Sequence, residues 1–365
     1  MIRCAGGNPA PPVGSEHRKT AKQEAFHNAM KTILVLGASG AMGRYLVPEL
    51  AQMGFSVDAV SLDAPDPSLD PPGVNRIQGN AKEEAFLAPL LARNYDAIVD
   101  FMIYPTAELA LKLPRMAAST GHYVYLSSYR VYDGKDVPVR EDSRLLLDTA
   151  DDPLIRFSDD YSVYKARGER ILRGLGRRNW TIIRPSITFS TYRYQLVTLE
   201  APLVVGRTDR GKAVVLPETA RNVQGTLTWA GDNARFIARL VLNDRAIGEA
   251  FTVATAEHHA WGEIAELYAS LRGLKAVWAP EEDFLRIVNP NPWFPHCAWQ
   301  LRTDRLFHRI IDNSKVLAAT DLTQADLMPL AKGLERELAK VPRDFEWHGC
   351  EGASERMDAW LATAR

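Results

Sequence analysis

A glycine-rich turn between an apolar run and a helical pattern places the strongest constraint on the fold of this chain. The heptapeptide GASGAMG occupies positions 37–43, directly after the apolar run Thr32–Leu36. Glycine accepts the dihedral angles of a tight strand-to-helix turn without a Cβ clash. Missing side chains also let a pyrophosphate approach backbone N–H groups at a helix N-terminus, where the helix dipole favours negative charge. A second strand pattern at Phe55–Leu62 completes a βαβ unit, so the turn predicts dinucleotide binding.

The residues of this turn are the first predicted cofactor contacts. They are Gly37, Ser39, Gly40, Ala41, Met42 and Gly43. In NAD-binding proteins of this kind, an acidic residue near the end of the second strand holds the ribose hydroxyls. Asp63 follows the predicted second strand slightly late and is the candidate here. Because Ser61–Asp70 contains no arginine or lysine for a 2′-phosphate, the sequence favours NAD, while Arg44 leaves NADP open.

Strand and helix patterns alternate through the first half of the chain. Strands are predicted at Lys31–Leu36, Phe55–Leu62, Ala97–Met102, His122–Ser127 and Trp180–Ile183, and helices at Ala41–Met53, Lys82–Arg93 and Tyr161–Leu175. The strands are rich in Val, Ile and Leu without alternation, as in a parallel sheet covered on both faces. Later elements are predicted at Asp232–Leu242, Ala250–Val253, Trp261–Leu271 and Leu322–Leu338. The predicted fold class is α/β, with a Rossmann doubly wound parallel sheet and a smaller C-terminal α/β substrate domain.

The chain is predicted to divide into three parts. Residues 1–29 combine Gly, Pro and polar residues without the apolar segment of a signal peptide, and they predict a disordered tail. Residues 30–190 predict the Rossmann NAD-binding domain, to which some later segments return. Residues 191–365 predict mainly the substrate-binding domain.

Charge and cysteine content exclude several classes of protein. The 365 residues include 44 Lys and Arg and 45 Asp and Glu, so no basic field predicts nucleic-acid or membrane binding. Three cysteines, Cys4, Cys297 and Cys350, lie far apart and form no zinc motif or disulfide framework, which favours a reducing cytoplasm. The adjacent His258 and His259 lack the spacing for ligation on one face, so no metal site is predicted.

A second group of residues predicts acid–base chemistry. Tyr161 and Lys165 are four residues apart and share one face of a predicted helix, and Ser128 follows a predicted strand. A phenol is a poor base at neutral pH, and a neighbouring ammonium ion favours its phenolate. With a serine hydroxyl to hold the substrate oxygen, such a group can take a proton from a carbinol while hydride leaves for a nicotinamide. Taken alone, Tyr161 and Lys165 would be an ordinary pair on a helix surface.

The order of these motifs resembles the short-chain dehydrogenase/reductase (SDR) superfamily and, more narrowly, its extended branch, the NAD-dependent epimerase/dehydratase family. The resemblance runs from about Met30 to Lys315. Its carriers are GASGAMG at 37–43, YLSSYRVY at 125–132, PVREDS at 138–143, YSVYK at 161–165, IRP at 183–185, TWAGD at 228–232, GEAFTV at 248–253 and DNSK at 312–315.

This resemblance implies a set of roles. Ser128, Tyr161 and Lys165 would be the catalytic trio, with Lys165 also contacting the cofactor. Asn80 takes the place of a family aspartate that meets the adenine amino group. The resemblance further implies NAD as cofactor, a nucleotide sugar as substrate and a homodimer formed through two helices.

The chain departs from the family pattern at two places. Tyr129 and Arg130 stand where the sugar-nucleotide dehydratases have an Asp-Glu pair, which disfavours dehydration. Asp100–Pro105 replaces an apolar-His-x-Ala-Ala stretch and alters the wall on the nicotinamide side. Guanidinium groups bind phosphate oxygens bidentately. Candidates for a diphosphate clamp are Arg207, Arg210, Arg302 and Arg309.

The sequence therefore predicts a cytoplasmic, NAD-dependent epimerase of a nucleotide sugar. Two alternatives stay open. One is an NAD(P)-dependent ketoreductase or dehydrogenase of a sugar nucleotide or a related small molecule. The other is a non-catalytic dinucleotide-sensing or RNA-associated binding protein on the same fold.

Overall fold

The computed structural model describes residues 30–64, 70–291 and 295–363. The predicted tail at 1–29 and Cys4 lie outside the described residues. The strands are β1 (Thr32–Leu36), β2 (Ser56–Ser61), β3 (Val74–Gln78), β4 (Ala97–Asp100), β5 (His122–Leu126), β6 (Trp180–Ile183), β7 (Ile187–Phe189), β8 (Gln195–Leu196), β9 (Leu199–Glu200), β10 (Val214–Pro217), β11 (Gln224–Gly225), β12 (Leu227–Trp229), β13 (Glu249–Phe251), β14 (His259–Ala260) and β15 (Ala276–Ala279).

The helices alternate with the strands in the first half of the chain and dominate the end of it. They are α1 (Gly43–Gln52), α2 (Glu84–Leu91), α3 (Thr106–Ala118), α4 (Leu146–Thr149), α5 (Pro153–Phe157), α6 (Tyr161–Arg173), α7 (Arg207–Asp209), α8 (Ala230–Leu240), α9 (Trp261–Arg272), α10 (Glu281–Val288), α11 (His296–Gln300), α12 (Ser314–Thr320), α13 (Leu330–Leu338) and α14 (Glu351–Thr363). Among the described residues, no helix has the length and apolar character needed to cross a membrane.

In the described part of the chain, seven parallel strands form the central sheet in the order β13-β6-β5-β4-β1-β2-β3. The strand order reverses between β1 and β4, because the chain first winds outward through β2 and β3 and then returns. In open α/β sheets, ligands bind outside the carboxyl ends of the strands at such a reversal. The predicted Rossmann doubly wound sheet is confirmed.

Helices cover both faces of the sheet. Val35 and Val57 belong to one buried cluster, which α1 and α8 close. Leu34 and Leu36 belong to the opposite cluster, which α2, α3 and α6 close. Successive residues of a strand point to opposite faces, so burial of both faces explains why these strands lack apolar–polar alternation.

A separate hydrophobic core lies beneath the C-terminal part of the chain. It includes Phe189, Leu216, Trp261 and Leu334. Short parallel pairs, β7 with β12 and β10 with β15, contribute its strands. Two later elements return to the Rossmann sheet instead, since β13 pairs with β6 and α8 packs beside α1.

Several elements differ from the sequence predictions, among them β3, α3 and α13. The strand β3 was missed because it is an edge strand, and its Asn75 is exposed while Val74 and Ile77 are only half-buried. The helix α3, which contains Pro114, was also missed. The prediction of one helix across Leu322–Leu338 is wrong, because regular α-helix begins at Leu330, after Pro329.

Candidate active site

A cleft of about 640 Å³ lies at the carboxyl edge of the sheet, between the Rossmann strands and the C-terminal core. One wall includes the glycine turn after β1, Ser128 after β5 and Tyr161 at the start of α6. The other wall includes Gln195 and Arg305. The cleft therefore brings together the two motifs that the sequence analysis identified separately.

Two glycines make the turn after β1 possible. Gly37 has a φ of +82°, in the left-handed region that residues with a side chain rarely adopt. A Cβ at Gly43 would lie 2.5 Å from the carbonyl oxygen of Gly37 and 2.6 Å from that of Ala38. Both obstacles are backbone atoms, so the start of α1 can approach the end of β1 this closely only with glycine at position 43.

The turn presents amide groups suited to a pyrophosphate. Within the described residues, the amides of Ser39, Ala41 and Met42 have no hydrogen-bond partner, and they stand at the N-terminus of the ten-residue helix α1. Unpaired amides at a helix N-terminus favour an anion. All of the predicted turn residues line the cleft: Gly37, Ser39, Gly40, Ala41, Met42 and Gly43. This turn therefore fits the pyrophosphate of a dinucleotide.

Asp63 lies shortly after the end of β2 and borders the cleft. The strand β2 ends at Ser61, and Asp63 stands two residues later, exposed and lining the cleft. The Ser61 hydroxyl donates to the Asp63 carbonyl oxygen at 3.4 Å. Asp63 therefore borders the cleft, and its predicted contact with the ribose stays a prediction.

Asn80 occupies the connection between β3 and α2. Its Oδ1 accepts from the Lys82 N–H at 3.0 Å, and its Nδ2 donates to Glu83 at 3.0 Å. Its neighbours Gly79 and Ala81 line the cleft. The side chain of Asn80 therefore shapes the turn that borders the cleft, and its predicted contact with adenine stays a prediction.

Ser128 stands at the end of β5 with its hydroxyl at the cleft. It precedes a single 3-10 turn at Tyr129–Val131, and its Oγ accepts from the Arg130 N–H at 3.2 Å. Because this oxygen accepts from the backbone, the hydroxyl hydrogen is left for a bond to an oxygen in the cleft. Ser128 is only 5% exposed, which limits competition from water.

The helix α6 sets the geometry of Tyr161 and Lys165. Asp160 caps its N-terminus by accepting from the Ser162 N–H at 3.0 Å, so Tyr161 becomes the first helical residue and faces the cleft. Lys165 follows one turn later, and its Nζ lies 5.8 Å from the centre of the Tyr161 ring. That Nζ donates to the carbonyl oxygen of Leu126 at 2.6 Å.

Lys165 carries its charge in a buried place behind the cleft wall. Burial lowers the pKa of its ammonium group to about 8, while the carboxylates of Asp100 and Glu169 oppose this shift. Asp100 is itself buried and accepts from Tyr123 at 2.8 Å. Glu169 forms a buried pair with Arg184 at 2.5 Å. The carboxylates of Asp100 and Glu169 thus favour the charged form of this buried ammonium group.

The segment after β4 forms part of the cleft wall. Phe101, Met102 and Ile103 line the cleft, at the place where the chain departs from the family pattern. Asp100 fixes this segment, because its Oδ1 accepts from the Met102 N–H at 2.9 Å.

The predicted diphosphate clamp is wrong. Arg207 is buried and donates to Asp358 at 2.7 Å, Arg309 donates to Asp304 at 2.9 Å, and Arg302 pairs with Glu281. Together with Arg210, these arginines are absent from the described lining of the cleft.

Other arginines line the cleft instead. They are Arg130, Arg193 and Arg305. Arg130 had a local signal, since it stands two residues after Ser128. No local sequence signal indicated Arg193 or Arg305, because long-range folding of the C-terminal part brings them to the cleft.

Fold and site together define an extended SDR protein. The NAD-dependent epimerase/dehydratase family matches residues 33–254, more than half of the chain. The chain therefore belongs to that family, whose cofactor is NAD, and it is an NAD-dependent enzyme of the extended SDR class. None of the curated proteins matches the chain.

Solved structures share the fold at low sequence identity. The epimerase Mth375 from Methanothermobacter thermautotrophicus has a TM-score of 0.64 at 16% identity, over 93% of this chain and 97% of its own. The UDP-glucuronic acid 4-epimerase from Bacillus cereus, in complex with UDP-glucuronic acid and NAD, has a TM-score of 0.62 at 16% identity, over 84% and 98%. MoeE5 in complex with the same two ligands has a TM-score of 0.59 at 18% identity, over 85% and 99%.

Proposed function

We propose that this protein is an NAD-dependent epimerase of a nucleotide sugar, working through a transient keto intermediate. The observation that carries the proposal is the convergence of Ser128, Tyr161 and the glycine turn on one cleft, with Lys165 behind Tyr161. Two similar folds were solved with a nucleotide sugar and NAD together, which supports the substrate class.

Three residues have separate roles in the transfer of one proton: Ser128, Tyr161 and Lys165. Ser128 donates its hydroxyl hydrogen to the substrate oxygen and holds that oxygen beside Tyr161. The Lys165 ammonium group stabilises the phenolate form of Tyr161, and this phenolate accepts the hydroxyl proton and becomes a neutral phenol. When bound, the nicotinamide supplies a hydride acceptor and then a hydride donor for the same carbon. Tyr161 returns its proton after the keto sugar has presented its other face, so configuration inverts with no net redox change.

The first test is the identity of the nucleotide that the purified protein carries. The protein is denatured, and any released nucleotide is identified by chromatography and mass spectrometry. Stoichiometric NAD is the expected result, because an epimerase regenerates its cofactor in place. An empty protein that binds NADH or NADPH reversibly would indicate the ketoreductase or dehydrogenase alternative. A protein that binds neither nucleotide would overturn the proposal that it is an enzyme.

A second test removes the proton acceptor. Tyr161→Phe is expected to lower epimerisation by about 10²- to 10⁴-fold, because it deletes a general base while the ring still packs on Tyr164. Tyr192→Phe is the matched control, since Tyr192 is 42% exposed and is not part of the described cleft lining. Turnover is followed by separation of the two epimers. Undiminished turnover in Tyr161→Phe would exclude the mechanism.

A further inference from the structure

Arg130 stands at the reacting end of the cleft. Its guanidinium carbon lies 5.4 Å from the centre of the Tyr161 ring, and its backbone N–H donates to the Ser128 hydroxyl oxygen. We propose that Arg130 binds a carboxylate of the substrate beside the reacting carbon, so that the sugar is an acidic one. This inference rests on the proposed function, because it names the substrate class of the same site.

The guanidinium group of Arg130 lacks the hydrogen bonds that a buried arginine needs. Its side chain is only 11% exposed, and Nε is fully buried without a hydrogen-bond partner among the described residues. Its approaches to carboxylates are long, 3.6 Å to Asp160 and 3.5 Å to Asp304. A largely buried guanidinium group without a hydrogen bond is costly, so an acceptor that reaches this group from the cleft is favoured.

Asp304 is already neutralised by other arginines. Its Oδ1 accepts from Arg309 Nε at 2.9 Å. Its Oδ2 accepts from the Tyr129 hydroxyl at 3.0 Å and forms a close contact with Arg305 Nη1. Two guanidinium groups thus bind this carboxylate more closely than Arg130 approaches it.

Asp160 is also occupied. Its Oδ1 accepts from the Ser162 amide at 3.0 Å and from the Ser162 hydroxyl at 2.7 Å, as the cap of α6. Its Oδ2 lies 3.3 Å from His296. Three guanidinium groups, of Arg130, Arg305 and Arg309, lie around the carboxylate of Asp304, and the carboxylate of Glu200 also acts on Arg305. Of these three groups, Arg130 alone makes no hydrogen bond to a carboxylate of the described residues, so its positive charge is the least closely paired of the three.

The position of this charge favours a carboxylate over the diphosphate. A nucleotide sugar carries its diphosphate on the anomeric carbon, whereas the carbon that is oxidised and reduced must bear a free hydroxyl at Tyr161. An anion within reach of both Arg130 and Tyr161 belongs to a substituent next to that carbon. In an acidic sugar this substituent is the ring carboxylate, and a guanidinium group binds carboxylate oxygens bidentately.

The test compares UDP-glucuronic acid with UDP-glucose, which share the diphosphate and differ in the carboxylate. The wild-type holoenzyme is expected to prefer the acid in kcat/KM by about 100-fold, the size of a lost buried charge pair. Arg130→Gln is expected to lose about 100-fold on the acid and less than about threefold on UDP-glucose. Arg156→Gln, an exposed arginine on α5 outside the described cleft lining, is the matched control and should leave both unchanged.

A binding measurement distinguishes failure of the carboxylate contact from failure of the epimerase proposal. Both nucleotides are titrated into the NAD-loaded Tyr161→Phe protein, with and without Arg130→Gln. Thermal unfolding checks that each variant is folded. Turnover without preference for the acid, or equal losses on both substrates, would overturn the carboxylate assignment and leave the epimerase in place. Binding of the acid that depends on Arg130, with no epimer formed by wild type, would overturn the epimerase and support the carboxylate contact. Binding of neither nucleotide would overturn both.

Discussion

Lys165 acts from behind Tyr161 rather than from the cleft wall. Its ammonium group is buried, hydrogen-bonded to Leu126 and lowered in pKa to about 8 by that burial. A lysine with an ordinary pKa would keep its charge throughout the neutral and mildly basic range. The site therefore carries a charge that can be lost only slightly above neutral pH.

This pKa predicts a basic limit to activity. The ammonium form is present below about pH 8 and is lost above it, so kcat/KM should be level near pH 7 and fall as the pH rises through 8. The measurement is kcat/KM from pH 6 to 10 with the holoenzyme. In Lys165→Met the whole profile should be low and should lack this basic limb. A wild-type profile that stays level to pH 9.5 would contradict the role of Lys165.

At the scale of elements, the turn between β1 and α1 depends on Gly43. Gly43→Ala places a Cβ within 2.6 Å of two carbonyl oxygens, so the turn and the helix N-terminus must separate. We expect a loss of about 1–3 kcal/mol in unfolding free energy and at least tenfold weaker NADH binding. Gly176→Ala is the control, because a Cβ at Gly176 meets nothing within 4 Å. Unchanged NADH binding in Gly43→Ala would show that this turn does not hold the cofactor.

His122 joins β5 to β6 and to the chain after α8. Its Nδ1 accepts from the Leu242 N–H at 2.9 Å, so Nε2 carries the hydrogen and donates to Thr181 Oγ1 at 2.8 Å. This contact fixes Leu242, whose φ of +57° lies in the left-handed region. Both ring nitrogens are thus used by the neutral imidazole, and burial lowers its pKa to about 4.

The neutral His122 predicts acid sensitivity. The unfolded chain takes up a proton near pH 6.5, whereas the folded protein resists it until about pH 4, so stability falls as the pH drops across this window. This lowering of the His122 pKa corresponds to about 3 kcal/mol of unfolding free energy. In His122→Asn, which keeps an acceptor for Leu242, the free energy of urea unfolding should depend less on pH between 6.5 and 4. Equal pH dependence in both proteins would contradict this prediction.

The sequence predicted those elements whose signals are local. Runs of apolar residues predicted six of the seven strands of the central sheet, all except β3. The spacing of Tyr161 and Lys165 predicted that they share one helix face. The edge strand β3 carries Asn75 and Arg76, so its apolar signal was weak. The cleft wall that contains Gln195 and Arg305 was beyond prediction, because Arg305 is held there by the distant carbonyl oxygen of Val197.

Across the whole molecule, Glu337 ties the C-terminal part to the Rossmann part. Its fully buried carboxylate accepts from Tyr45 of α1 at 2.8 Å, from Trp229 at 2.9 Å and from Lys340 at 3.0 Å. It also accepts from the Thr191 hydroxyl. One side chain of α13 thus satisfies donors from four separate places in the chain.

Removing the Glu337 carboxylate should lower the stability of the folded protein. Glu337→Ala leaves several buried donors unpaired, and we expect a loss of about 3–5 kcal/mol in unfolding free energy. Glu335→Ala, on the exposed side of the same helix, should stay within about 0.5 kcal/mol of wild type. Urea unfolding of both variants is the measurement. Equal, small losses would show that Glu337 is not a link between the two parts.

The seventh strand of the sheet, β13, reaches its place late in synthesis. It pairs with β6, yet Ile183 and Glu249 are separated by the segments that build β7–β12 and α8. When β6 has been synthesised, its outer edge therefore still lacks a partner strand. An unpaired strand edge can pair with other chains. A fragment ending at residue 190 should consequently aggregate, and the substrate-side segments are needed before the nucleotide-binding sheet can close during translation.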